Sequence, residues 1–114
     1  MVTLEFLREY GADVDEGLAR CMNMESFYLG LVDSSLDDKY YDLLLNAVAS
    51  GDLDEAFKAV HSLKGMAGNL SLTPLFKITS EMTELLRVKA DADYTAMAKA
   101  VEEEHKKLLE SRKQ

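Results

Sequence analysis

Apolar residues recur at spacings of three and four along the whole chain, and the period-two alternation of a half-buried strand is nearly absent. The sequence therefore reads as helices separated by breaks. A short amphipathic helix is predicted near residues 3–10, closing at Gly11-Ala12-Asp13, and a second near 15–22 that stops around Asn23. A third follows over about 24–33. Ser34-Ser35-Leu36-Asp37 offers side-chain caps for a fourth over about 37–49, which carries Tyr40, Leu43, Leu44, Ala47 and Val48. Gly51 closes that helix as a left-handed stop.

Asp52, with Glu55 three residues on, has the form of a capping box. It opens a helix whose apolar side runs Leu53, Ala56, Phe57, Val60, Leu63 and Ala67 and which frays near Gly68-Asn69. Thr73 as N-cap and Pro74 at the first helical position begin the next, through Leu75, Ile78, Met82, Leu85, Leu86 and Lys89. Asp91-Ala92-Asp93 breaks it, and a last helix from about Tyr94 carries Met97, Ala98, Val101, His105, Leu108 and Leu109. Glu102-Glu103-Glu104 lie early in that helix and Lys106, Lys107, Arg112 and Lys113 late, an order that complements the helix dipole. The expected fold is all-α: one domain over 1–114, an antiparallel up-and-down four-helix bundle over about 37–112, capped by short N-terminal helices over about 3–33.

Composition agrees, since one proline, six glycines and no tryptophan fit helices better than a turn-rich sandwich. A formal net charge of −8 disfavours any function that rests on attraction to nucleic acid or anionic lipid. No apolar run approaches the roughly 20 residues that span a bilayer, and Met1-Val2-Thr3-Leu4-Glu5 lacks the blocks of a secretion signal, so a cytoplasmic protein is expected. The Met1 start and the polar Ser111-Arg112-Lys113-Gln114 end lead to the expectation of a free-standing chain. Cys21 is the only cysteine and reads as a packed thiol.

The informative stretch is Val60-His61-Ser62-Leu63-Lys64-Gly65-Met66-Ala67-Gly68-Asn69. With Leu53, Phe57, Val60, Leu63 and Ala67 on the buried stripe, His61 faces outward or along the rim, and Lys64, Gly65 and Gly68 share its surface patch. A mid-helix glycine costs roughly 0.5–1 kcal/mol relative to alanine. Gly65 is explained either by close packing of a neighbouring helix or early fraying, or by another molecule approaching the imidazole. An ordinary imidazole, with a pKa of about 6.5, is mostly neutral at pH 7 and keeps a lone pair for attack on phosphorus. A cation one turn away is where a transferred anionic group would be held. The chain has no phosphate loop, no G-x-G-x-x-G pattern and no Asp-Phe-Gly sequence, so the phosphoryl group would have to come from another protein and leave to one.

His61-Ser62-Leu63-Lys64-Gly65, preceded by Ala56, Phe57, Val60 and the Gly51-Asp52 break, resembles the signature of histidine-containing phosphotransfer (HPt) domains. The resemblance extends over most of the chain and implies a helical bundle with N-terminal helices. It implies that His61 is phosphorylated on Nε2, that Lys64 is the cation near the phosphoryl group, and that Gly65, with Gly68, admits the partner. It further implies a phosphorelay carrier rather than an autonomous kinase, a monomer working with a hybrid sensor histidine kinase and response-regulator receiver domains. The chain itself would bind no cofactor or metal; Mg²⁺ would be supplied at the receiver. Two positions depart from the family pattern. Ser71 stands where the family usually has glycine, and Thr83 where some members place a glutamine near the phosphate. Arg87, one turn further, reads either as a second basic group or as an ordinary solvated arginine. Lys58, Lys64, Lys77 and Arg87 are expected to form a local basic patch, with Phe57 or Met66 exposed for docking.

Two other readings compete with this one. Glu102 and His105 have the Glu-x-x-His spacing of a metal-binding bundle, but Lys58 stands three residues before His61, so the motif is not repeated, and His105 reads as a partly exposed surface residue. A plain interaction module could present Met22, Met24, Met66, Met82 and Met97 to other proteins, although methionines at helical spacing are more often core filler.

Overall fold

A computed structural model describes all residues, 1–114, as seven α-helices and a terminal 3₁₀ turn. They are α1 (Leu4–Tyr10), α2 (Val14–Arg20), α3 (Glu25–Ser35), α4 (Lys39–Ser50), α5 (Leu53–Asn69), α6 (Thr73–Arg87), α7 (Tyr94–Leu109) and the turn Glu110–Lys113. Local chemistry sets several boundaries. Thr3, Asp13, Asp52 and Asp93 each accept a hydrogen bond from the backbone N–H three residues on, at 3.0–3.2 Å. Each such cap contributes about 1 kcal/mol. Gly51 ends α4 at φ 74°, a left-handed conformation open to glycine at little cost.

The helices α4 to α7 form the bundle: α5 packs between α4 and α6, and α7 closes the ring against α4 and α6. Leu44, Leu63, Leu75, Met82, Leu86 and Leu108 fill its centre. The N-terminal helices join the same core through Leu7, Val14, Tyr28 and Val32, and Cys21 is buried there as a packed thiol. Tyr28 shows why these helices sit over the α5–α6 corner. Its ring lies where a side chain on Gly17 would stand, 2.5 Å from an added Cβ, and its hydroxyl donates to the Leu70 carbonyl at 2.8 Å. Burial pushes the Tyr28 phenol up to about 12. On the opposite flank the Tyr10 hydroxyl donates to Glu104 of α7 at 2.9 Å.

Several expectations are corrected by the packing. The Ser34–Asp37 stretch gives α4 no side-chain cap: Ser34 and Ser35 extend α3, where the Ser35 hydroxyl donates back to the Val32 carbonyl, and Asp38 stands before α4 without a capping bond. The buried face of α4 is Tyr41, Leu44 and Ala47, leaving Tyr40 and Leu43 exposed. The cap of α6 falls at Leu72 rather than Thr73, because Leu72 is anchored in the core; the Thr73 hydroxyl instead donates back to Ser71. Met22 and Met24 are exposed rather than core filler, since Met22 and Asn23 form a left-handed turn that carries the chain from α2 to α3.

His105 is also corrected. It is 7% exposed, stacked flat on Tyr41 with ring centroids 3.6 Å apart, and its Nε2 lies 2.8 Å from the Leu36 carbonyl. A carbonyl can only accept, so Nε2 carries the proton. His105 continues the buried series Ala98, Val101 and Leu108, while its charged neighbours lie on the flanks. No group of three His, Cys, Asp or Glu side chains is placed to hold a metal ion.

Candidate functional site

The helix α5 buries Ala56, Ala59, Val60, Leu63 and Ala67 and turns His61 to solvent. The imidazole is stacked on Phe57, one turn earlier, with ring centroids 5.5 Å apart and planes within 9°. Phe57 is half-buried, so it fixes the imidazole against a surface that is itself packed. Arg87 comes from α6 and lies over the Phe57 ring, its guanidinium carbon 5.2 Å from the centroid. Guanidinium, phenyl and imidazole thus form one cluster on the α5–α6 seam.

Lys64 is on the same seam, 28% exposed, with Nζ 3.7 Å from Glu84. Glu84 also meets Arg87 at 3.4 Å, so one carboxylate serves both cations that flank the histidine. Neither its spacing from Arg87 nor its charge singled Glu84 out in the sequence; the shared pairing exists only once α6 is set against α5. Gly65 is exposed and a Cβ built there meets nothing within 4 Å. Packing of a neighbouring helix therefore does not explain this glycine. Gly68 differs: a Cβ there would stand 2.9 Å from the Phe76 ring, so its small size is already used inside the fold.

Other expected site residues are rearranged. Thr83 is fully buried and its hydroxyl donates to the Thr79 carbonyl at 2.6 Å, which turns it into the core and away from His61. The basic patch is largely paired, with Lys58 on Glu55 at 3.2 Å and Lys64 and Arg87 on Glu84. Phe57 and Met66 are half-buried; Phe76 is exposed beside Gly68 on the α6 side, and on the α4 side the exposed apolar side chains are Tyr40 and Leu43. They line a groove of about 100 Å³ with Lys58 and Ser62, on the α4 side of His61. Ser71 adopts φ 56°, the left-handed conformation that glycine would take freely. Its side chain ties the corner to α2, donating to Glu16 at 3.0 Å and accepting from Arg20 at 2.7 Å.

Fold and site together define a helical bundle that presents one solvent-facing histidine, flanked by cations and an uncovered stretch of backbone. The family model for the Hpt domain matches residues 34–111, and the chain belongs to that family. No curated protein and no solved structure gives a significant match. Membership assigns the chain to histidine phosphotransfer in phosphorelay signalling, where Hpt domains interact with receiver domains and kinases of two-component systems. No helix is long and apolar enough to cross a membrane.

Proposed function

We propose that the chain, acting as one domain over 1–114, accepts a phosphoryl group on His61 Nε2 and exchanges it with an aspartate of a response-regulator receiver domain. The observation that carries this reading is the exposed imidazole of His61, stacked on Phe57 with Lys64 and the bare backbone of Gly65 on its surface. Transfer through a loose, in-line transition state asks the acceptor for position and charge stabilisation rather than for further covalent groups. Phe57 supplies the position and Lys64 the charge, with Arg87 as a second cation. Mg²⁺ enters at the receiver, not on this chain. A hybrid sensor kinase stands at the other end of the relay, and the chemistry belongs to the cytoplasm, with the chain as a monomer.

The test is incubation with a phosphorylated receiver domain and Mg²⁺, followed by a search for an acid-labile phosphoryl group. Wild type is expected to label and His61→Gln to stay unlabelled. A label on His61→Gln equal to wild type would remove His61 from the role, and no label on wild type with any receiver would remove the transfer reading.

A further inference from the structure

We infer that Glu84 is a positioning residue for the transfer: it holds Lys64 and Arg87 as their counterion while His61 is free, yields them to the phosphoryl group when His61 is loaded, and so sets how strongly the histidine retains that group. This rests on His61 being the phosphoacceptor. Lys64 comes from the helix of His61 and Arg87 from the neighbouring one, yet both converge on the same carboxylate, at 3.7 and 3.4 Å. Glu84 is 61% exposed and Arg87 49%, so these ion pairs are wet and weak. A dianionic group appearing one turn from Lys64 is a stronger acceptor than a half-solvated carboxylate.

In the loading step the Nε2 lone pair forms the N–P bond. The P–O bond of the receiver's acyl phosphate breaks, and its electron pair leaves with the aspartate carboxylate. Nδ1 keeps its proton. The product places new negative charge on the α5 surface, where Glu84 already competes for Lys64 and Arg87. The resting site has two cations against one carboxylate. Removing the carboxylate charge leaves both cations to the phosphoryl group and shifts the phosphoryl equilibrium toward His61.

The experiment measures the partition of phosphoryl groups between the full chain and a receiver domain with Mg²⁺, approached from both directions. It compares wild type, Glu84→Gln, Lys64→Ala/Arg87→Ala, and the triple variant. Glu84→Gln is expected to raise the ratio of phosphorylated chain to phosphorylated receiver by about three- to tenfold at low salt. The gain should shrink to less than about twofold near 1 M salt, where screening acts over about 3 Å. A structural role for Glu84 would not produce that salt dependence. In the background lacking both cations, the same substitution is expected to change the ratio by less than about twofold. An unchanged ratio in Glu84→Gln overturns the inference. So does an equal gain in the cation-free background, which would mean that Glu84 acts by direct repulsion. Failure of the underlying reading looks different: wild type then takes no label at all, or His61→Gln takes as much.

Discussion

Replacing Gly65 separates stability from function at one position. Alanine in a helix interior is favoured over glycine by about 0.5–1 kcal/mol. Nothing lies within 4 Å of a Cβ at Gly65, so no steric cost offsets that gain. An unfolding entropy of about 2.1 cal/mol/K per residue gives about 0.24 kcal/mol/K for the chain, so Gly65→Ala is expected to raise Tm by about 2–4 °C. Gln is a weaker helix former than Ala but better than Gly, and Gly65→Gln should keep roughly half of that gain. Transfer should move the other way. A glutamine side chain one turn from the imidazole stands where a receiver must approach, so Gly65→Gln is expected to slow transfer at least about tenfold, a barrier of about 1.4 kcal/mol. The assays are a thermal melt and a single-turnover transfer from a phosphorylated receiver. A less stable Gly65→Ala would refute the argument from open space, and wild-type transfer by Gly65→Gln would refute the argument from access. Gly68→Ala is the internal control, because its Cβ would press on Phe76 at 2.9 Å and the helical gain should be lost.

Three further outcomes are expected. Ser71→Ala should lose about 1–2 kcal/mol in urea unfolding, because the bonds to Glu16 and Arg20 go while the left-handed strain remains. Ser71→Gly relieves that strain and should be more stable than Ser71→Ala by about 1 kcal/mol. His105→Ala should cost roughly 2–4 kcal/mol through the lost stack on Tyr41, the unpaired Leu36 carbonyl and the space left behind, with the rate of transfer at His61 unchanged. A stable variant would show that the His105 stack is not a structural element. Alkali should unfold the chain through three tyrosines. Burial first of all raises the phenols of Tyr10, Tyr28 and Tyr41, with Tyr10 raised further by the Glu104 carboxylate. Above the ordinary value of 10.0 the unfolded chain sheds protons that the folded chain keeps, so stability is full below that pH and falls as pH rises toward the folded value, about 12 for Tyr28. Each of the three contributes a fall of up to about 1.4 kcal/mol per pH unit in that window. Phenolate absorbance followed beside circular dichroism checks this: ionisation of all five tyrosines before the helices melt would contradict it.

What could be read from the sequence follows the range of the forces involved. Helix periodicity, the cap at Asp52 and the stop at Gly51 are written within a few residues, and the structure shows them where the sequence places them. The register of α4 is not, because Tyr40-Tyr41 and Leu43-Leu44-Leu45 satisfy two adjacent stripes equally, and contact with α5 and α7 selects Tyr41 and Leu44. The charged run around His105 hides a residue whose helical phase is that of the core. Thr79 and Thr83 are core residues because their hydroxyls return to carbonyls of their own helix, which lets a polar residue occupy an apolar position. The site divides in the same way. His61, Lys64 and Gly65 share one helix, so spacing alone groups them. Glu84 and Arg87 come from α6, and their meeting with Lys64 and Phe57 depends on how two helices are registered.

That division also changes how the charge is understood. A net charge of −8 opposes the addition of a phosphoryl dianion if the protein is treated as a uniform sphere. Screening limits that repulsion to about 8 Å at physiological ionic strength, so most of the 21 acidic side chains are irrelevant to the reacting atoms. On the α5–α6 seam Lys64 and Arg87 share the one carboxylate of Glu84 and Lys89 is matched by Asp54, while Lys58 is matched by Glu55 on the α4 side. The seam is therefore weakly positive when His61 is free and would turn negative if His61 carried the proposed phosphoryl group. A carrier needs that reversal, because a site strongly positive in both states would hold its cargo rather than pass it on. On the proposed reading, retention and release at His61 would be set by the few charges on two helices, and the acidic bulk of the chain would act on solubility and on which surfaces can approach.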